Sequence, residues 1–188
     1  VWFFINPAMM QASKSIYTRL NMVSKMNFPM SVIPSFVIMS NFYSHVTLVG
    51  VITILFLVTG QGISIHYIQL IYYMFATLML VFSLSLITST LATIVRDTQM
   101  IVQSIMRMLL YLTPILWTPE RLPTIFQKIM KLNPFCYIVD GYRASLLGTN
   151  WFFQDINYTL YFWGFVFITF LIGSTLHVKF RKHFADYL

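Results

Sequence analysis

Gln99, Gln103, Arg107 and Tyr111 recur at every fourth position of an otherwise apolar stretch. On an α-helix such residues share one side, drifting by about 40° per step around a turn of 3.6 residues. A guanidinium and a phenol ring on that side, with Trp117 beyond them, could hold phosphate through the cation and sugar rings through the aromatic faces. An Arg inside a membrane helix is costly and faces a protein interior or a wet cavity. The competing reading is that Arg107 lies only about 16 Å along a helix from Arg96, at 1.5 Å per residue, and snorkels to the headgroups.

The remaining polar residues suggest packing more than reaction chemistry. His45 sits in a run, residues 26–95, that contains no acid, so a hydrogen-bonded packing histidine is expected rather than a proton relay. Ser85, Ser89 and Thr93 are four apart and form a small-residue face for close helix approach, a polar conduit being the alternative. Asp140 and Arg143 are three apart and read as a structural pair. His177 and His183 flank a C-terminal basic cluster and read as surface residues. The single Cys136 has no partner for an intrachain disulfide and reads as a packing cysteine. The sequence has no metal-ligand spacing, no serine elbow and no GxxxxGK[ST] phosphate loop. The chain therefore offers no catalytic site and no cofactor site of its own, and any ATP-driven work must use another subunit.

These residues must be positioned by membrane helices. Residues 26–95 carry no Lys, Arg, Asp or Glu over 70 positions, and one crossing needs about 20 apolar residues. Two crossings fit, Val32–Thr59 and Ile68–Val95, broken at Gly60-Gln61-Gly62 with Ser64 and His66. A third, Ile101–Trp117, carries the polar stripe and passes through Pro114. A fourth, Tyr158–Leu176, has aromatic residues at one end and Lys179, Arg181 and Lys182 at the other. The chain opens on Trp2, Phe3 and Phe4 without a basic leader, so its numbering is expected to begin inside a membrane helix, with further residues, up to another whole crossing, upstream.

Charged residues make up 9% of the chain and hydrophobic ones 58%, against about 25% charged in soluble domains. The expected fold class is therefore an all-α polytopic membrane protein. The net charge of +7 lies beside the spans and points to membrane lipids and orientation rather than nucleic acid. Pro119–Asp155 is more polar. Its Pro and Gly residues divide it into two short amphipathic helices, Thr124–Leu132 and Phe135–Leu147, expected to lie on or dip into the membrane surface. Lys14, Arg19, Lys25, Arg96, Arg107, Lys179, Arg181 and Lys182 fall on one set of loops, and Arg121, Lys128, Lys131 and Arg143 on the other. The richer set, with the C-terminus, is predicted to be cytoplasmic.

The ordered set WFFIN at Trp2–Asn6, VSKMNFP at Val23–Pro29, VRDTQM at Val95–Met100, YLTPILW at Tyr111–Trp117, Asn133-Pro134, YRA at Tyr142–Ala144 and the terminal FADYL resembles the permease subunit of ABC-2 polysaccharide exporters. Among these it is most similar to the teichoic acid translocation permeases of Gram-positive bacteria, which implies a plasma-membrane location. The resemblance implies a helical permease of six crossings, working as a homodimer with two copies of an ATP-binding-cassette ATPase that binds ATP and Mg, and exporting a lipid-linked anionic polysaccharide. The family's N-terminal interfacial helix and first crossing have no counterpart in the sequence.

By the same resemblance Arg19, Lys25, Asn27 and Phe28 match the cytoplasmic element that couples to the ATPase, and Arg96 and Asp97 a second contact. Asn133, Pro134 and Arg143 fall in the external gating helices. Gln103, Arg107, Tyr111 and Trp117 are the residues expected to line the conduit. An O-antigen or capsule exporter of the same architecture is the alternative. An intramembrane transferase would need clustered His, Asp or Arg near one interface, and a proton-coupled carrier would need acids within spans; the sequence has neither.

Overall fold

The computed structural model describes residues 1–19, 32–60, 64–115, 117 and 123–181. Those residues form seven α-helices and two short 3-10 turns: α1 Trp2–Lys14, α2 Val32–Val58, α3 Ile68–Ile94, α4 Thr98–Leu112, α5 Thr124–Lys131, α6 Pro134–Leu147 and α7 Ile156–Phe180. Among the described residues α2, α3 and α7 are long and apolar enough to cross a membrane. At 27, 27 and 25 residues they reach about 37–40 Å, beyond a hydrocarbon core of about 30 Å.

Helix α3 is the centre of the bundle. Its small and hydroxyl residues let neighbours come close: Ser85 and Ser89 are fully buried and Thr93 nearly so. Each returns its hydroxyl to a carbonyl one turn back, as Thr93 Oγ1 does to Ser89 at 2.7 Å. They serve packing, and the conduit alternative for them falls. On the seam with α7, Thr169 Oγ1 donates to Ser83 Oγ at 3.2 Å and Trp163 Nε1 to Tyr72 Oη at 2.8 Å. His177 lies buried on this seam, 3.2 Å from Thr90 Oγ1. That corrects the surface assignment for His177, whose partner is 87 positions away; His183 lies outside the described residues.

His45 of α2 is buried, its ring stacked on Phe4 of α1 at 5.1 Å and its Nε2 2.9 Å from Tyr142 Oη of α6. This is the packing role expected for it. Tyr142→Phe should cost about 1–3 kcal/mol by leaving the imidazole unpaired, measured by thermal unfolding in detergent. Adding His45→Phe should recover most of that loss, since two apolar partners leave nothing unsatisfied.

Two expectations about the helices change. The crossing expected over Ile101–Trp117 is instead α4, 15 residues ending at Leu112, or about 22 Å. Thr113 turns to an extended conformation (φ −83°, ψ 133°), because the ring of Pro114 disfavours a helical residue before it. The helix α6 is not a surface element: nine of its 14 residues, from Pro134 to Ser145, are buried. Gly141 brings it directly onto Tyr73 of α3, and Gly148 ends it in a left-handed conformation (φ +67°) against Ser64. The short helix α5 does keep an exposed apolar face, Ile125, Phe126 and Ile129, continued by Leu132 just past its end.

The helix ends sort into two groups. At one end the Tyr17 hydroxyl donates to Gln99 Oε1, and Ile16 and Tyr17 pack with Phe180, which gathers Lys14, Arg19, Arg96, Lys179 and Arg181. At the other, Gln69 Nε2 donates to the Asn150 carbonyl at 2.7 Å and the His66 ring packs at a tilt against Trp151, centroids 4.6 Å apart. Helix α5 and the α6–α7 connection belong to this second end. A cysteine at Lys128 should therefore react with an impermeant thiol reagent on whole cells, and one at Asp97 only after the membrane is opened. The reverse pattern would invert the topology. Cys136 is buried, and burial, with a smaller push from Asp140, raises its thiol to about 12, so it should stay silent in this assay.

Candidate functional site

Helix α4 presents Val102 and Met106 to the core. One position further around the helix, the Gln99–Gln103–Arg107–Tyr111 stripe is progressively less covered. Gln99 is tied to Tyr17 and Gln103 is half-buried, while Arg107 is exposed and Tyr111 is 75% exposed. Past the break, Trp117 folds back so that its Nε1 donates to the Tyr111 carbonyl at 3.2 Å. The structure thus sets Gln103, Arg107 and Tyr111 along one side of α4 and ties Trp117 to the Tyr111 backbone beyond the helix end, and the chain itself leaves that side open at Arg107 and Tyr111. A cation followed by two aromatic groups can engage anionic and sugar chemistry in turn.

The residues expected in the external gate, Asn133, Pro134 and Arg143, are held by specific contacts. Asn133 caps α6, its Oδ1 accepting from the Phe135 amide at 3.0 Å, while its Nδ2 donates to Thr113 Oγ1 at 3.0 Å. Pro134 occupies the first turn, where no helical N–H is needed. Arg143 Nη2 donates to the Pro114 carbonyl at 2.7 Å and its Nη1 lies 3.4 Å from Asp140 Oδ1. Asn133, through the Thr113 hydroxyl, and Arg143, through the Pro114 carbonyl, therefore fasten α6 to the residues just past the end of α4. The expected Asp140–Arg143 pair is present. Burial holds the Asp140 carboxyl above the ordinary carboxylate range, against the pull of Arg143 and Lys131.

Further polar contacts of α6 have no counterpart among the sequence candidates. Tyr137 Oη is 2.9 Å from Tyr72 Oη and 3.2 Å from Thr159 Oγ1, so with the His45–Tyr142 contact α6 is fastened to α2, α3, α4's end and α7. A tyrosine reads in sequence as an amphipathic aromatic, and only a partner 65 positions away reveals it as a tie.

Of the residues that the resemblance assigns to coupling, Arg19, Arg96 and Asp97 are exposed and lie at the same end of the bundle, where Tyr17 and Gln99 join their helices. Lys25, Asn27 and Phe28 lie outside the described residues.

A helical bundle with three candidate membrane crossings and a polar stripe on a fourth, shorter helix defines a polytopic membrane protein. The ABC-2 type transporter model matches residues 1–147, and the chain belongs to that family. Two O-antigen export system permease proteins RfbA from Klebsiella pneumoniae are similar to it. One is 26% identical over 175 residues, covering 93% of this chain, and the other 28% identical over 176, also 93%. The chain spans 66% of the length of each.

Proposed function

We propose that this chain is the membrane permease of an ATP-driven exporter that passes a lipid-linked glycan of the O-antigen class across the plasma membrane. The observation that carries this reading is the similarity to O-antigen export permeases over 93% of the chain. It makes the O-antigen alternative the first choice and moves the teichoic acid reading to second place. The teichoic acid reading keeps one argument, the exposed Arg107, whose charge suits a phosphate polymer.

Two copies of the chain would set two α4 stripes on either side of a shared passage, which makes the homodimer the proposed working unit. Two copies of an ABC ATPase, carrying the ATP and Mg, would dock at the basic end through Arg19, Lys25, Asn27, Phe28, Arg96 and Asp97, leaving the C-terminus in the cytoplasm.

The test is co-expression of the full-length protein with the genes beside its own. An ATPase should co-purify with the parental chain and be lost from Arg19→Glu with Lys25→Glu, and surface glycan should fall in a deletion strain. A chain that inserts yet retains no ATPase, with surface glycan unchanged on deletion, removes the reading. Loss of a glycerol-phosphate or ribitol-phosphate polymer in place of a neutral glycan restores the teichoic acid assignment.

A further inference from the structure

At the end of the bundle opposite the basic turns, a cavity of about 140 Å³ lies between α3, α6, α7 and the 148–155 connection, away from the α4 stripe. Its walls include Tyr73, Tyr137, Trp151, Phe152 and Tyr158, with Asp140 and Asp155 among its polar groups. The aromatic walls are held in place by their own contacts: Phe152 stacks on Tyr72 at 4.5 Å and Trp151 on Phe153 at 5.6 Å. Each carboxylate has its own cation, Arg143 at 3.4 Å from Asp140 and Lys131 at 3.5 Å from Asp155. Two acids and two bases leave these pairs without net charge. The Tyr158 hydroxyl is buried with no hydrogen-bond partner among the described residues, which leaves it able to donate to or accept from a bound ligand.

This combination selects a ligand class. Aromatic walls suit the C–H faces of a sugar ring, while half-open carboxylates accept hydrogen bonds from its hydroxyls. A phosphate would meet two carboxylates whose cations are already engaged. The volume corresponds to the share of about five liquid waters, room for one ring and not for a chain. We infer that this cavity takes a single neutral sugar residue of the glycan on the exit side of the membrane. The inference rests on the glycan-export reading for its biological ligand, although the cavity can be tested without it.

The permease–ATPase complex in lipid nanodiscs is examined by saturation-transfer difference NMR with galactose, mannose and N-acetylglucosamine as neutral probes and glycerol 3-phosphate as the anionic one. At least one sugar should receive saturation and glycerol 3-phosphate should receive none. Ala144→Leu, which fills the cavity from its wall, should abolish the transfer. Asp140→Asn should weaken binding about tenfold, the equivalent of one hydrogen bond to a charged acceptor, and serves as the second variant should Ala144→Leu fail to assemble. Absence of transfer from all three sugars, transfer unchanged in Asp140→Asn, or equal transfer from glycerol 3-phosphate overturns the inference. Export of glycan by a complex that shows no sugar transfer removes the cavity proposal alone. Cavity-dependent sugar transfer in a protein whose deletion leaves surface glycan intact removes the export reading alone.

Discussion

Gly141→Ala should lower the thermal midpoint of the purified permease by several degrees, and Gly141→Leu should prevent assembly. A Cβ at position 141 would run into Cε1, Cζ and Cδ1 of the Tyr73 ring, inside any tolerable contact. The ring cannot swing away easily, since it is 5% exposed and packs beside Tyr72, Tyr137 and Tyr142. Overpacking of a filled core costs about 1–3 kcal/mol, and here the added atom also pushes α6 away from the hydroxyls of Tyr72 and His45's ring nitrogen that hold it. Fluorescence-detected gel filtration reads assembly and a thermal ramp reads stability. Combining Gly141→Ala with Tyr73→Leu should recover part of the loss. A parental midpoint for Gly141→Ala would mean that α6 does not dock on α3 in this way.

Arg107→Gln should have the opposite profile, with export reduced about tenfold or more and the amount of assembled complex nearly unchanged. The side chain is exposed and forms no ion pair among the described residues, so its loss removes little from this chain's own packing. If the stripe faces the passage, the charge lost is worth about 1.5–3 kcal/mol for each hydrogen bond it made to an anionic group. Arg107→Lys should retain part of the activity, because it keeps the charge and loses the planar fork. Tyr111→Ala should weaken export by removing a stacking face that is 75% exposed. Export at the parental rate in Arg107→Gln would leave Arg107 a headgroup anchor.

Much of the scaffold was legible because long apolar runs have few folded solutions in a membrane. The spans Val32–Val58 and Ile68–Ile94 and the break at Gly60 follow from length and from glycine. The short helices before α7 follow from Asn133-Pro134 and Gly148, whose capping roles are local. The end of α4 departs from the hydropathy pattern for a specific reason: residues beyond Leu112 are as apolar as those before it, and only the steric veto that Pro114 places on Thr113 stops the helix there. The burial of α6 was not legible, because its amphipathic pattern is satisfied equally by a membrane surface and by a protein groove. What decides between them is Tyr73, Tyr72 and His45, at positions 65 to 97 residues away for the hydroxyl contacts. The same limit hid the partner of His177. For the site, periodicity placed Gln103, Arg107 and Tyr111 on one side of a helix, whereas the fastening of Arg143 to Pro114 depends on a turn that no periodic pattern encodes.

The early end of α4 has an electrical consequence. A helix of about 22 Å against a hydrocarbon core of about 30 Å leaves the Pro114 carbonyl and the Arg143 guanidinium as polar matter where insulator would otherwise lie. Where water follows these polar groups to the end of α4, the membrane voltage drops over a shorter path along this helix, and the local field rises by about a third if the whole drop falls across the helical part. With a cell interior that is negative, each phosphate of an outgoing polyanion gains about 2.3 kcal/mol per 100 mV. A neutral glycan gains nothing from the voltage, so its export would fall entirely to ATP, and abolishing the membrane potential would slow a phosphate polymer while leaving a neutral one at its former rate.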